Sequence, residues 1–136
     1  AVINRTWKKN DKVEVMLPME VRTVTANENV KDDIGKVAIQ RGPLMYCAEW
    51  ADNNGKTSNF ILPAGTVFNN EFNANLLNGV MVLKAEVPAV IIEGNNISTK
   101  KQSFTAIPYY SWANRGKGEM NVWFPRDVKD VEILTK

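Results

Sequence analysis

Side chains able to act as nucleophiles are scarce in this sequence of 136 residues. It contains no histidine, so catalysis that pairs a serine or a cysteine with an imidazole base is excluded, and imidazole zinc sites are excluded with it. The single Cys47 cannot form an internal disulfide. Because it lies in an apolar run without an adjacent cation to lower its pKa, we predict a buried and unreactive thiol.

Two groups of oxygen-bearing side chains could support acid and base catalysis or metal binding. Glu49 and Glu119 each flank an aromatic run and are the most plausible pair for glycosidase acid and base catalysis. That mechanism needs a defined separation of the two carboxyl groups, so structural or solvated carboxylates are the favoured interpretation. The segment Asp52-Asn53-Asn54-Gly55 lacks the spacing and the closing glutamate of a calcium loop, and it predicts a reverse turn. No catalytic residue and no metal ligand is therefore predicted.

The most unusual segment is aromatic and contains Tyr109, Tyr110, Trp112, Asn114 and Arg115. On a strand, Tyr110 and Trp112 would share one face and Tyr109 would lie on the other. Flat rings beside Asn114 and Arg115 could stack on a sugar and hydrogen-bond its hydroxyls. Tyrosine and tryptophan are also enriched at interfaces, so the same residues could pack in a core or against a neighbouring domain. The core or interface role is favoured, and a carbohydrate-binding platform is the alternative.

Overall composition is that of a soluble globular protein, with 44% hydrophobic residues. Seventeen basic and fifteen acidic residues give a net charge of +2, which is too small for a nucleic-acid binder or an anionic-membrane binder. No apolar run approaches the roughly 20 residues of a membrane-spanning helix. The length favours one domain over residues 1–136.

Short strands must position these groups, because no helix of ten or more residues is credible. Period-two patterns and apolar runs predict strands at 12–17, 21–25, 36–40, 44–49, 60–62, 79–92, 104–112, 120–124 and 131–134. Gly42-Pro43 predicts a sharp bend and Pro88 a break. Residues 69–78 could hold one helical turn, and residues 95–102 are predicted to form a polar loop. The fold class is therefore all-β, an antiparallel β-sandwich of jelly-roll type.

Several segments together resemble a known family. They are Arg5-Thr6-Trp7 with Asp11 and Leu17-Pro18-Met19, Gly35-Lys36-Val37-Ala38 with Arg41-Gly42-Pro43-Leu44-Met45-Tyr46-Cys47, Leu76-Leu77-Asn78-Gly79-Val80, and residues 106–116 with Met120 and Val122-Trp123-Phe124-Pro125. In this order they resemble the C-terminal β-sandwich region of glycoside hydrolase family 127, the β-L-arabinofuranosidase family.

The resemblance implies that this chain carries no active site of its own. In that family a helical (α/α)6 barrel precedes the sandwich and holds a cysteine nucleophile on zinc, which further cysteines and a glutamate bind. No segment here matches that site, and Cys47 does not correspond to the nucleophile. The implied function is that of a non-catalytic accessory domain, a C-terminal fragment of a larger hydrolase of plant-type glycans. Zinc is expected only in the parent's catalytic domain.

The expected partner is therefore the helical barrel of the same parent chain. An independent carbohydrate-binding module that uses the segment from Tyr109 to Trp112 is the alternative. The sandwich is expected to be incomplete on its N-terminal side, which would uncover Val2, Ile3 and Trp7 and favour a homodimer of the isolated fragment. We expect a bacterial source, with a periplasmic or secreted location ahead of a cytoplasmic one.

Overall fold

A computed structural model describes residues 2–132 and consists of strands joined by turns and 3₁₀ turns. The strands are β1 (Val21–Val24), β2 (Lys36–Arg41), β3 (Leu44–Glu49), β4 (Asn69–Asn73), β5 (Val80–Glu93), β6 (Asn96–Pro108), β7 (Met120–Asn121) and β8 (Phe124–Pro125). They form one antiparallel sheet in the order β1-β2-β3-β6-β5-β4, with β7 paired to β3 and β8 paired to β2. The sheet curls in a manner consistent with a β-sandwich or half-barrel, which confirms the predicted fold class. No helix in the described part of the chain is long and apolar enough to cross a membrane.

The core lies between the curled strands, because alternate side chains of each strand point inward. Phe104 of β6 occupies its centre and meets Phe60 and Phe124 edge to face, with ring centroids 5.1 and 5.2 Å apart. Residues of opposite parity in the same strands, among them Cys47 and Ile107, form a smaller apolar cluster on the other face. Both faces of the central strands are therefore covered.

Two tight hairpins organise the sheet. Gly42 and Pro43 connect β2 to β3, since Arg41 and Leu44 are paired neighbours, and the predicted sharp bend is confirmed. The longer hairpin joins β5 to β6, with registered pairs from Leu83↔Ala106 to Glu93↔Asn96.

That long hairpin corrects two predictions. Strand β5 continues through Pro88, which is paired with Lys101 of β6 and whose carbonyl accepts a hydrogen bond from the Ile61 N–H at 2.9 Å. Residues 96–102 are paired strand and not a loop, because β5 supplies partners for their backbone groups despite their polar composition.

Three other expectations were wrong or only partly met. Residues 12–17 form no strand, and within residues 2–132 no strand lies beside them to pair with them. Asn69–Asn73 is strand β4 at the edge of the sheet and not a helical turn, because it pairs along β5. The predicted strand at 60–62 is reduced to one bridge between Phe60 and Ala89.

The C-terminal strands also differ from their predicted bounds. The strand predicted at 104–112 ends at Pro108, and the strand predicted at 120–124 is split into β7 and β8. Of the strand predicted at 131–134, residues 131 and 132 are not part of a strand, and residues 133 and 134 lie outside the described residues.

Candidate functional site

An exposed aromatic corner, made of Tyr109, Tyr110 and Trp112, follows strand β6. The chain leaves the sheet at Pro108 and enters a 3₁₀ turn at Tyr109–Ser111, closed by the Trp112 N–H on the Tyr109 carbonyl at 3.1 Å. The expectation that Tyr110 and Trp112 share a strand face is therefore wrong, since the proline ends the strand before them. Instead the Tyr109 and Trp112 rings stack, with centroids 5.9 Å apart and planes at 22°.

The aromatic corner lies outside the core of the described chain. Tyr109, Tyr110 and Trp112 are 45%, 67% and 41% exposed, respectively. Each side chain combines a large apolar face with one hydroxyl or N–H donor, which suits either a protein surface or the face of a sugar.

Behind the aromatic corner lies an ionic cluster formed by Glu49, Asp52 and Arg115. The Arg115 Nε donates to Glu49 Oε2 at 3.0 Å, and its two terminal nitrogens donate to the Asp52 carboxylate at 2.7 and 2.6 Å. One terminal nitrogen also contacts Glu49. The guanidinium of Arg115 is thus occupied by carboxylates of its own domain. Its hydrogen bonds to Asp52, followed by those to Glu49, raise its pKa although burial opposes this.

The ionic cluster fixes the shape of the aromatic corner. Glu49 is 1% exposed, and its Oε1 accepts the Ala113 N–H at 3.2 Å. Ala113 has a φ of 67°, in the left-handed region that alanine rarely adopts. The Asn114 amide donates to the carbonyls of Ser111 and Trp112 at 3.0 and 3.2 Å. These polar residues therefore hold the turn that presents the rings.

Glu119, the other predicted carboxylate, is also held by hydrogen bonds. It accepts from the Thr57 N–H at 2.9 Å and from the Ser58 N–H and hydroxyl at 3.2 and 2.9 Å. Partial burial favours the neutral form, but these hydrogen bonds outweigh it and lower the pKa of Glu119. Glu49 and Glu119 thus each accept hydrogen bonds from residues of their own domain, which agrees with the structural interpretation favoured for both.

The segment from Asp52 to Gly55 forms a turn, as predicted, with Asn54 and Gly55 at positive φ. Its buried Asn53 extends the sheet, since its side-chain amide donates to the Thr105 carbonyl and its oxygen accepts the Thr105 N–H, both at 2.9 Å. Within residues 2–132, no group of three or more carboxylate or thiol side chains is placed to hold a metal ion.

Cys47 is fully buried in strand β3. Burial, helped by the negative charge of Glu49, raises its pKa to about 12. The thiol therefore stays protonated near neutral pH, in agreement with the predicted unreactive side chain.

Sequence reasoning selected Arg115 and Glu49 but missed their contact with each other. The two residues are 66 positions apart and meet only because β3, β6 and the following turn converge. No local pattern in the sequence marks Glu49 as the partner of Arg115. No local pattern indicates the hydrogen bonds between Asn53 and Thr105 either.

Residues 21–125 match the model of the glycoside hydrolase family 127 C-terminal domain. A curated relative, the non-reducing end β-L-arabinofuranosidase of Bifidobacterium longum subsp. longum, is 36% identical over an alignment of 124 residues, and the match covers 82% of this chain and 19% of that protein.

Solved structures give the same match. One described as a family 127 β-arabinofuranosidase superposes with a TM-score of 0.79 at 38% identity, covering 83% of this chain and 18% of that one. A family 127 β-L-arabinofuranosidase from Geobacillus stearothermophilus T6 gives a TM-score of 0.71 at 39% identity, with coverage of 79% and 18%. The chain thus spans about a fifth of the length of these relatives.

Proposed function

Because this chain belongs to glycoside hydrolase family 127, over the residues of that family's C-terminal domain, we propose that it is a non-catalytic accessory domain of a longer glycoside hydrolase. The observation that carries this proposal is that the side chains that could react are held by hydrogen bonds or buried within the domain. Glu49 and Glu119 are held by donors of their own domain, and Cys47 is a buried thiol whose pKa is raised to about 12.

The parent enzyme, in this proposal, hydrolyses β-linked L-arabinofuranosides of plant-type glycans. The names of the relatives support this substrate class, since two of them are β-L-arabinofuranosidases. The chemistry would take place in the parent's helical barrel, where zinc is expected, and this chain would support that barrel.

The aromatic corner is the surface that we assign to contact with the barrel. Tyr109, Tyr110 and Trp112 are large, half-exposed side chains on a turn that Glu49 and Arg115 fix in place. Rigid aromatic anchors of this kind contribute most of the binding energy at protein interfaces, because little conformational entropy is lost when they are buried. A flexible loop would lose more conformational entropy on binding.

Activity measurements test the accessory role. The isolated chain should not hydrolyse an aryl β-L-arabinofuranoside, whereas turnover that Glu119→Gln abolishes would refute the proposal. In the complete enzyme, Tyr110→Ala should lower the unfolding temperature, because it removes an interface anchor. Phe72→Ala is the matched control, since Phe72 is similarly exposed but lies on the edge strand β4. An equal effect of the two substitutions would remove the aromatic corner from the interface.

A carbohydrate-binding module is the second candidate, and the exposed stack of Tyr109 on Trp112 favours it. Sugar rings stack on flat aromatic faces, and Trp112 fluorescence would report such binding. Under the accessory role, arabino-oligosaccharides at millimolar concentration leave the fluorescence of the chain unchanged. Saturable binding that Trp112→Ala removes, with the fold preserved, would establish the module instead.

A further inference from the structure

A small cleft of about 220 Å³ lies beside the start of β2, and no residue of the aromatic corner or the ionic cluster lines it. Its walls come from Lys36, from Ser58, from the segment that joins β7 to β8, and from the 3₁₀ turn at Val128–Asp130 with Glu132 after it. One water takes up about 30 Å³ in the liquid, so the cleft has the volume of about seven waters. It can therefore hold one small ring compound.

Trp123 supplies an aromatic surface to this cleft. Its side chain is half-buried, and it lies between β7 and β8. The residue before it, Val122, packs on the smaller apolar cluster, and the residue after it, Phe124, is part of the core. Because both neighbours are anchored, the backbone at Trp123 is fixed, and a ligand that packs on the indole orders little of the protein.

Uncharged side chains of the cleft offer both hydrogen-bond donors and acceptors. Asn121 Oδ1 accepts the Thr57 hydroxyl at 2.6 Å, so the N–H groups at the other end of this amide can donate to a ligand. The Ser58 hydroxyl donates to Glu119 at 2.9 Å and keeps its lone pairs to accept. Glu119 thus helps to position one wall of the cleft.

The charged side chains of the cleft nearly balance. Lys36 Nζ and Glu132 Oε1 are 2.7 Å apart, and this contact lowers the pKa of Glu132, which stays ionised. The Asp130 carboxylate lies against Gly35, where an added Cβ would come within 2.7 Å of its Cγ. Because Gly35 lacks that atom, the carboxylate can sit close to the backbone at the edge of the cleft. One cation and two carboxylates leave a single net negative charge.

We propose that this cleft binds one pyranose residue, either a free sugar or the end of a glycan chain. A sugar hydroxyl both donates and accepts, so it can use the Asn121 N–H groups and the Asp130 carboxylate at once. A chair with equatorial hydroxyls also presents a face of axial C–H groups, which packs on the apolar face of an indole such as Trp123. A cation would meet Lys36, and an anion would meet the two carboxylates. This site is independent of the accessory role proposed above.

Ring size provides the sharpest test. Methyl β-D-xylopyranoside and methyl α-L-arabinofuranoside are isomers, but the puckered five-membered ring lacks the flat C–H face. Titration followed by tryptophan fluorescence should show saturable binding of the pyranoside, with a dissociation constant of about 1–10 mM for a ligand of so few atoms. The furanoside should leave the fluorescence unchanged. Equal binding of the two isomers, or no saturation by the pyranoside up to about 100 mM, would overturn the proposal.

Substitutions locate the bound pyranoside. Trp123→Ala should weaken its binding at least about tenfold, measured by saturation-transfer NMR because the fluorescent reporter is lost, whereas Trp112→Ala should not. Asp130→Ala should weaken binding about tenfold through the lost charged acceptor. Asp32→Ala is the matched control, since it makes the same change of charge in an exposed 3₁₀ turn outside the cleft.

Two results would contradict this location. Binding that Trp112→Ala removes would belong to the aromatic corner, and an equal effect of Asp130→Ala and Asp32→Ala would exclude the cleft. The Asp130 comparison decides the matter if Trp123→Ala does not fold.

Further probes distinguish the source and the charge of the ligand. If xylotriose and the methyl pyranoside both bind, the end of a glycan chain is the ligand. Binding of the methyl pyranoside alone supports a free sugar, and either result supports a pyranose site. Tighter binding of methylammonium than of the pyranoside would overturn the proposal, because the cleft would then be a cation site.

Discussion

Replacing Arg115 by methionine tests whether the ionic cluster holds the domain together. The substitution keeps much of the side-chain volume but leaves Glu49, which is 1% exposed, and Asp52 without a counter-ion. Removing one partner of a buried ion pair costs about 3–5 kcal/mol, because the remaining charge stays desolvated. Since the Arg115 side chain is 18% exposed and partly screened, we expect the lower end, about 3 kcal/mol. That corresponds to a fall of about 12 °C in unfolding temperature for a domain of this size.

Urea denaturation followed by tryptophan fluorescence measures this cost. Lys84→Met is the matched control, since it breaks the exposed Lys84–Glu71 pair at 2.8 Å and should cost less than about 1 kcal/mol. The double substitution Glu49→Gln with Arg115→Met should cost less than the sum of the two single ones, by about 2 kcal/mol, because the unpaired buried charge is gone. If the free energy of unfolding of Arg115→Met lies within about 1 kcal/mol of that of the wild type, the inference that the ionic cluster stabilises the domain is refuted.

Three further outcomes follow from burial, contact and exposure. Because the pKa of Cys47 is raised to about 12, its protonated thiol contributes stability below pH ~9 that is lost as the pH rises toward 12. At pH 8 the native protein should not react with a disulfide reagent until denaturant is added. Labelling of the native protein would contradict this. Gly118→Ala places a methyl group against the Trp50 indole and should lower the free energy of unfolding, measured by urea denaturation, by about 1–3 kcal/mol. Gly118→Ala should cost less than this in a protein that already carries Trp50→Ala. The isolated chain, which exposes Val2 and Trp7, should scatter light as a dimer, whereas a sharp 15.3 kDa monomer at high micromolar concentration would exclude this.

Local signals predicted the parts of the fold that local chemistry determines. Gly42-Pro43 predicted a sharp bend between two β-rich runs, and the structure confirms both the bend and the strands β2 and β3 on either side of it. The polar residues of the first half of β6 carry no such signal. They form a strand because β5 lies beside them, which only the tertiary fold can decide.

The residues of the candidate site were predicted from the sequence, but their spatial arrangement was not. Tyr109, Tyr110 and Trp112 were identified by their types, yet their expected strand geometry was wrong because Pro108 ends β6. In the alternative carbohydrate-binding role Arg115 would hydrogen-bond a sugar, whereas its guanidinium is directed to Glu49 and Asp52. Long-range contacts of this kind depend on where distant strands meet, and one sequence does not contain that information.

The position of Phe124 in the core determines when this domain can fold during its synthesis. The β5–β6 hairpin needs only a two-residue turn at Gly94-Asn95, so it can pair within microseconds once Pro108 has been made. Strand β2, however, is completed by β8 through the pair Val37↔Phe124, and Phe124 also packs against Phe104. Strands that are translated early must therefore wait for one that is translated late. A chain that ends before Phe124 lacks the ring that packs against Phe104, and we expect the apolar surface exposed in this way to favour aggregation and chaperone binding.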